Sequence, residues 1–164
     1  MTVQVRRAAA SDADAAITLW QGLQDEHQAL DARHRPSASA ARRWRNDFGV
    51  WVASDVDRVF VAEIGGELVG LVTAHTYWPS PMIEQAMEVY VTELVVALEH
   101  RSGGVGARLL DAVRGWARER GVARIRAGVL SRNTRGRAFW ARQGAEDLFV
   151  TVTIALDRRS ESQT

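Results

Sequence analysis

Residues 86–110, "AMEVYVTELVVALEHRSGGVGARLL", constrain the fold more than any other part of the chain. A β-branched run, apolar on both faces apart from Glu88, Thr92 and Glu93, reads as a central strand. It passes through a loop holding Gly103, Gly104 and Gly106 directly into helix formers, so strand, glycine turn and helix are contiguous. A glycine turn that opens a helix offers free backbone N–H groups at the positive end of the helix dipole, a combination suited to phosphate. The stretch alone does not say which phosphate ligand, and tight turns also use glycine for its conformation alone.

The flanking segments arrange themselves around that strand. A first strand is predicted over residues 3–6, followed by Ser11 or Asp12 as N-cap of a helix with Ile17, Trp20 and Leu23 at helical spacing. Pro36 breaks the chain, and Ser37 or Ser39 caps a second helix whose buried side is Ala40, Ala41, Trp44 and Phe48. "VFVAEIGGELVGLV" reads as a hairpin turning at Gly65 and Gly66, and "WPSPM" as an irregular loop. After the glycine loop, Val105, Leu109, Leu110, Val113, Trp116 and Ala117 share one helix face that ends at Gly121. A strand in "ARIRAGVL", a short helix in "NTRGRAFWARQG" closed by Gly144, and a last strand in "LFVTVTIAL" complete the order. The result is a mixed α/β domain over residues 1–157, with 158–164 as a polar tail expected to be disordered. A 164-residue chain that is 46% hydrophobic suffices for one such core.

Composition excludes several chemistries. The net charge of +1 gives no global electrostatic case for nucleic acid or an anionic membrane. All 21 basic residues are Arg, so lysine Schiff-base and P-loop chemistry are absent. With no Cys there are no disulfides, thiolate nucleophiles or zinc–thiolate sites. No metal ligation is expected, since His27, His34 and His75 have no ligand spacing with acids or with each other. The N-terminal stretch lacks an apolar signal core and no run reaches membrane-spanning length, so a cytoplasmic protein is expected.

A dinucleotide fingerprint needs a third glycine three residues after the second, where this chain has Leu109, and an acid some twenty residues on, where it has Arg124 and Arg126. The arrangement that fits is Arg101, Gly104 and Gly106 as R-x-x-G-x-G directly after "ELVV". With Leu94, Val96, Val105 and Leu110 in step, this resembles the acyl-CoA pyrophosphate loop of the GNAT superfamily of N-acetyltransferases. "NTRGRAFWARQGA" resembles that superfamily's second motif through Asn133, Gly136, Phe139, an aromatic at 140 and Gly144. The two motifs and the 59–72 hairpin spread the resemblance over residues 3–156.

The resemblance implies a mostly antiparallel mixed sheet with one splayed strand pair, flanked by about four helices. It implies acetyl-CoA as co-substrate, its pantetheine arm along Leu94, Val95 and Val96 and its pyrophosphate at Ser102, Gly103, Gly104, Val105, Gly106 and Ala107. Arg101 either bonds a phosphate or fixes the loop, and Asn133, Phe139 and Trp140 complete the coenzyme side. The implied reaction is acetyl transfer to a primary amine of a small molecule or a protein N-terminus, by direct attack. Glu93, an acid inside an apolar strand, is the candidate general base; its alternative is a solvated or arginine-paired carboxylate. At 140 the superfamily usually places Tyr as proton donor to the thiolate, and Trp140 cannot deliver a proton. That departure supports a second reading, an acyl-CoA-binding sensor with little catalysis. Asp25, Glu26 and Asp31 either attract a cationic amine or form an ordinary charged helix end, Tyr77 and Trp78 either wall the acceptor site or cap the core, and His100 braces the loop. The superfamily often forms homodimers, to which "LFVTVTIAL" is suited.

Overall fold

The β-branched run forms the fourth strand of a five-stranded sheet in a computed structural model that describes residues 2–82, 84 and 86–156. The elements are β1 (Gln4–Arg7), α1 (Ala13–Leu30), α2 (Ala40–Ala53), β2 (Asp57–Ile64), β3 (Glu67–Tyr77), β4 (Glu88–Val96), α3 (Val105–Glu119), β5 (Ile125–Ala127) and α4 (Thr134–Arg142). The sheet order is β1-β2-β3-β4-β5; every pair is antiparallel except β4 with β5. Period-two alternation in β2 and β3 divides their side chains between two apolar layers. Val59, Val61, Leu71 and Val95 face α1 and α2, where Trp20, Trp44 and Phe48 pack. Ala62, Val72, Ala74, Val89 and Val91 face α3, whose Leu109, Val113 and Trp116 fill the second layer.

Capping is less literal than the sequence implies. Asp12 and Ser39 occupy the N-cap positions of α1 and α2, yet neither side chain makes the cap bond. Asp12 instead accepts from the Ala9 N–H and from both terminal nitrogens of Arg6, and Arg6 also reaches Glu63 on β2. The Arg6 hydrogen bond, helped by the Ala9 N–H against the effect of burial, holds the Asp12 carboxyl below the usual range.

The last predicted strand is overturned. Residues 148–156 form no strand, and Leu148, Phe149, Val150, Val152, Ile154 and Leu156 are 59% to 86% exposed. The strand expected in "ARIRAGVL" is also reduced to three residues, which offers a nine-residue neighbour too short an edge. Alternating apolar residues record an aptitude for pairing and not the presence of a partner. The boundary at 157 and the tail at 158–164 lie outside the described residues.

Phe48 is fully buried and packs on Trp44 with ring centroids 5.4 Å apart, so it couples α2 to the sheet. Phe48→Ala is expected to lower unfolding free energy by about 3–5 kcal/mol in urea titrations, whereas exposed Val50→Ala is expected to change it by less than about 0.5 kcal/mol. Equal effects at the two positions would show that the α2 face does not carry the packing assigned to it.

Candidate active site

β5 pairs with β4 only at Val89–Ile125, Tyr90–Arg126 and Val91–Ala127. That closed end is held by Glu88, 2% exposed, which accepts from Tyr77 Oη at 2.9 Å, Arg124 Nη1 at 3.0 Å and Arg126 Nη2 at 3.3 Å. Burial works to raise the Glu88 pKa, but the Tyr77 and Arg126 hydrogen bonds prevail and hold it below the ordinary value. Beyond Val91 the strands part. β4 bulges there against β3: Val91 faces Ala74 and Glu93 faces Thr73, which leaves Thr92 as the extra residue. Ala97 N–H donates to Val69 C=O at 2.9 Å. By alternation, the backbones of Glu93 and Val95 face β3, while those of Leu94 and Val96 face the open edge.

The loop after β4 is built to keep its amides free. Ser102 sits at φ 66° and Gly104, the N-cap of α3, at φ 79°, a left-handed turn that swings the chain into the helix. The N–H groups of Ser102 to Ala107 donate to no acceptor among the described residues, so six amides gather at the positive end of a 15-residue helix. A Cβ on Gly106 would lie 3.2 Å from Phe139 Cε2 and 3.6 Å from Leu94 Cδ2, so glycine lets α4 and β4 close on the loop. Arg101 braces the loop, while its Nη1 is buried without a partner among the described residues. Its Nε donates to Val96 C=O at 2.7 Å and its Nη2 to Glu26 at 2.5 Å, which straps the loop to β4 and α1.

Glu93 lies at the bulge on the α1 and α2 side, half-buried. Thr73 Oγ1, itself 4% exposed, donates to its Oε2 and accepts the Glu93 backbone N–H at 3.1 Å. Trp44 Nε1 donates to Oε1 at 3.2 Å, and Trp20 stacks on Trp44 at 5.5 Å. Burial raises the Glu93 pKa above the ordinary carboxylate value, while hydrogen bonds from Thr73, Trp44 and Trp20 act against that rise. The arrangement is a carboxylate held in one orientation and poised to accept a proton nearer neutral pH than a free glutamate.

The other expected residues separate. Asn133 Oδ1 accepts the Gly136 N–H at 2.8 Å and so caps α4, while Phe139 and Trp140 meet edge to face at 5.5 Å and pack against the α3-side core. Glu26 is paired with Arg101 and with Arg135, and Asp31 with Arg33, so neither is a free charge for an amine. Asp25 lines a cleft of about 190 Å³ with Trp20, Gln21 and Gln24. His27 lies 6.3 Å from His34, and burial pushes its pKa down. The Tyr77 hydroxyl is used by Glu88, Trp78 is 70% exposed, and the His100 N–H donates to Ala97 within the loop. Sequence reasoning missed Thr73 altogether and read Trp44 as core alone. The available signal for Thr73 was a lone hydroxyl in the apolar run of β3.

Trp44→Phe leaves an aromatic ring but removes one donor, so the Glu93 pKa is expected to rise further, which carboxyl NMR titration reads. Because the folded-state pKa of Glu93 lies above its unfolded value, its contribution to stability is fully present below about pH 4.3 and is lost as pH rises through the folded value. Glu93→Gln is expected to remove that loss, which urea unfolding below and above the window reads directly. A Glu93→Gln chain that keeps the wild-type pH dependence over this window would contradict the assignment.

With this geometry in hand, comparisons with known proteins are specific. The model of the acetyltransferase (GNAT) family matches residues 18–145. An uncharacterised N-acetyltransferase of Archaeoglobus fulgidus is 32% identical over 145 residues, which cover 86% of this chain and 91% of that protein. Among solved structures, a tetramutant of the BH1408 protein from Bacillus halodurans superposes with a TM-score of 0.82 at 21% identity, covering 93% of this chain and 99% of that one. The aminoglycoside acetyltransferase AAC(6')-Iy, solved with a bisubstrate analogue built on CoA, gives a TM-score of 0.73 at 16% identity over 96% of this chain and all of that one. A parted strand pair, a helix-opening loop of free amides and these matches have one conclusion: the chain belongs to the GNAT family of acetyltransferases.

Proposed function

We propose that the chain transfers the acetyl group of acetyl-CoA to a primary amine of a small molecule or a protein N-terminus, with Glu93 as general base. The observation that carries the reading is the position of Glu93. It stands at the bulge where β4 leaves β5, between the open edge of Leu94 to Val96 and a polar face of the sheet. The pantetheine arm pairs with the Leu94 C=O and the Val96 N–H, because Val96 C=O is already taken by Arg101. The free amides from Ser102 to Ala107 hold the pyrophosphate, with Arg101 keeping their loop in place. Phe139 and Trp140 back the loop through Gly106, and Asn133 sets the start of their helix.

The proton accounting is simple. Glu93 takes a proton from the ammonium form of the acceptor, and the freed nitrogen attacks the thioester carbon. The carbonyl oxygen is stabilised by the Leu94 N–H of the open β4 edge, the tetrahedral intermediate gives the remaining ammonium proton on its nitrogen to solvent and expels CoA thiolate, and solvent protonates the thiolate, since indole cannot. Structural neighbours include aminoglycoside acetyltransferases, one of them solved with sisomicin, which supports a small amine acceptor. We place the reaction in the cytoplasm. A second copy of the chain is the partner we assign to the exposed apolar residues of 148–156, and sedimentation of a dimer that Ile154→Asp dissociates tests that assignment.

The central test is thiol release from acetyl-CoA over polyamines, aminoglycosides, amino acids and peptides, with calorimetric coenzyme binding alongside. Turnover with one amine class is expected, and Glu93→Gln is expected to lower kcat about 10²–10⁴-fold while still binding coenzyme. Coenzyme binding with no turnover on any amine would return the sensor reading, for which Trp140 is the motive.

A further inference from the structure

A cavity of about 370 Å³ opens on the α2 side of the sheet, lined by Trp51, Asp57, Arg58, Val59, Thr73, Ala74, His75 and Thr92. Two of these residues are immediate neighbours of Glu93: Thr73 donates to its carboxylate, and Thr92 precedes it in the bulge. The cavity therefore borders the candidate base from the side away from the coenzyme loop, toward the start of β4. Its volume lies in the range of small-ligand sites, whereas the cleft beside Asp25 is about half as large.

The lining has a definite chemistry. Trp51 extends the tryptophan row of Trp20 and Trp44, meeting Trp44 edge to face at 5.8 Å, and presents an aromatic wall. Thr92 Oγ1 lies 3.3 Å from His75 Nδ1. Asp57 is directly opposite His75 across the β2–β3 pair and shares the sheet face of Val59 and Val61. It forms no ion pair among the described residues, and only its backbone N–H is bonded, to Ser54 Oγ. The neighbouring arginine does not neutralise it, because the Arg58 guanidinium leaves for the other face and sits 5.4 Å over Trp116. The result is an uncompensated carboxylate beside an indole, an arrangement that favours a cation carried on an apolar stem.

We infer that this cavity receives the acceptor, and that Asp57 and Trp51 select amines bearing a second positive charge: diamines and polyamines. This rests on the acetyltransferase reading above and adds the substrate class. Register fixes the scale. From Asp57 to Glu93 the sheet crosses two strand spacings and two residues along β3, a Cα separation of about 12 Å. Asp57 lines the cavity and Glu93 adjoins it through Thr73, so an extended diamine spans the two, one nitrogen at the base and the other at Asp57. A monoamine of equal length fills the same space but leaves Asp57 without its charge.

The experiment compares kcat/KM for cadaverine and for pentylamine, with acetyl-CoA saturating. The wild-type chain is expected to prefer cadaverine, and Asp57→Asn is expected to reduce that preference about five- to tenfold. Trp51→Leu is expected to weaken both amines, and coenzyme binding by calorimetry reports whether each variant is folded. An unchanged preference in a folded Asp57→Asn chain overturns the inference, as does turnover of other amines with neither of these two accepted. Failure of every amine with wild-type protein instead removes the acetyltransferase reading on which the inference rests.

Discussion

The parting of β4 from β5 is the constraint on which the rest of the site depends. A sheet satisfies its backbone groups by pairing every strand, and a strand in the middle of a sheet that loses a neighbour after three residues leaves polar groups without partners. Here the loss is abrupt because both sides of it are fixed. Glu88, buried and bonded to Tyr77, Arg124 and Arg126, ties β3, β4 and β5 together at the closed end. The bulge at Thr92 then adds a residue to β4 and increases its local twist just where β5 ends. The open edge that follows is suited to an extended ligand as a replacement strand, and in the proposed function the loop that follows it supplies donors for that ligand's phosphates.

Burying a carboxylate at such a point costs free energy unless it is well bonded, and the fold meets that cost with two indoles and a threonine. The donors do two things at once. They fix the direction of the Glu93 oxygens, and they prevent burial from raising its pKa so far that it stays protonated. Tryptophan suits this position because it covers the carboxylate with apolar area and gives a single N–H, with no acceptor to compete for the proton. The same stack also packs α1 and α2 on the sheet, so the stability of that face and the poise of the base are not independent.

Legibility in the sequence followed the range of the interactions. The β4–loop–α3 segment was readable because its constraints are local: β-branched alternation, a left-handed glycine at the helix start, and an apolar helical stripe. Glu93 was readable as a polar residue out of place in an apolar strand. Its donors were not, because Thr73 and Trp44 stand 20 and 49 residues away and meet it only through strand register and helix packing. Glu26 looked like a free acid for the same reason in reverse, since Arg101 and Arg135 are distant from it in sequence. The unpaired 148–156 segment is the sharpest case. Its alternation is genuine, and what it lacks is an edge long enough to use it.

Trp140 is best understood against this background. A phenol at that position would matter in proportion to how much help the thiolate needs to depart, and once the attacking nitrogen has lost its second proton CoA thiolate is a far better leaving group than the amide anion it competes with. The harder requirement is a deprotonated amine at neutral pH, which the proposed mechanism assigns to Glu93. A helix that presents Phe139 to Gly106 and Trp140 to the core serves the site by holding the glycine loop against β4. On the proposed reading, with the phosphates at one end of β4 and the acceptor toward the other, the two substrates meet end to end at the bulge. Neither then has to displace the other in order to bind, and the reacting atoms converge where the strands divide.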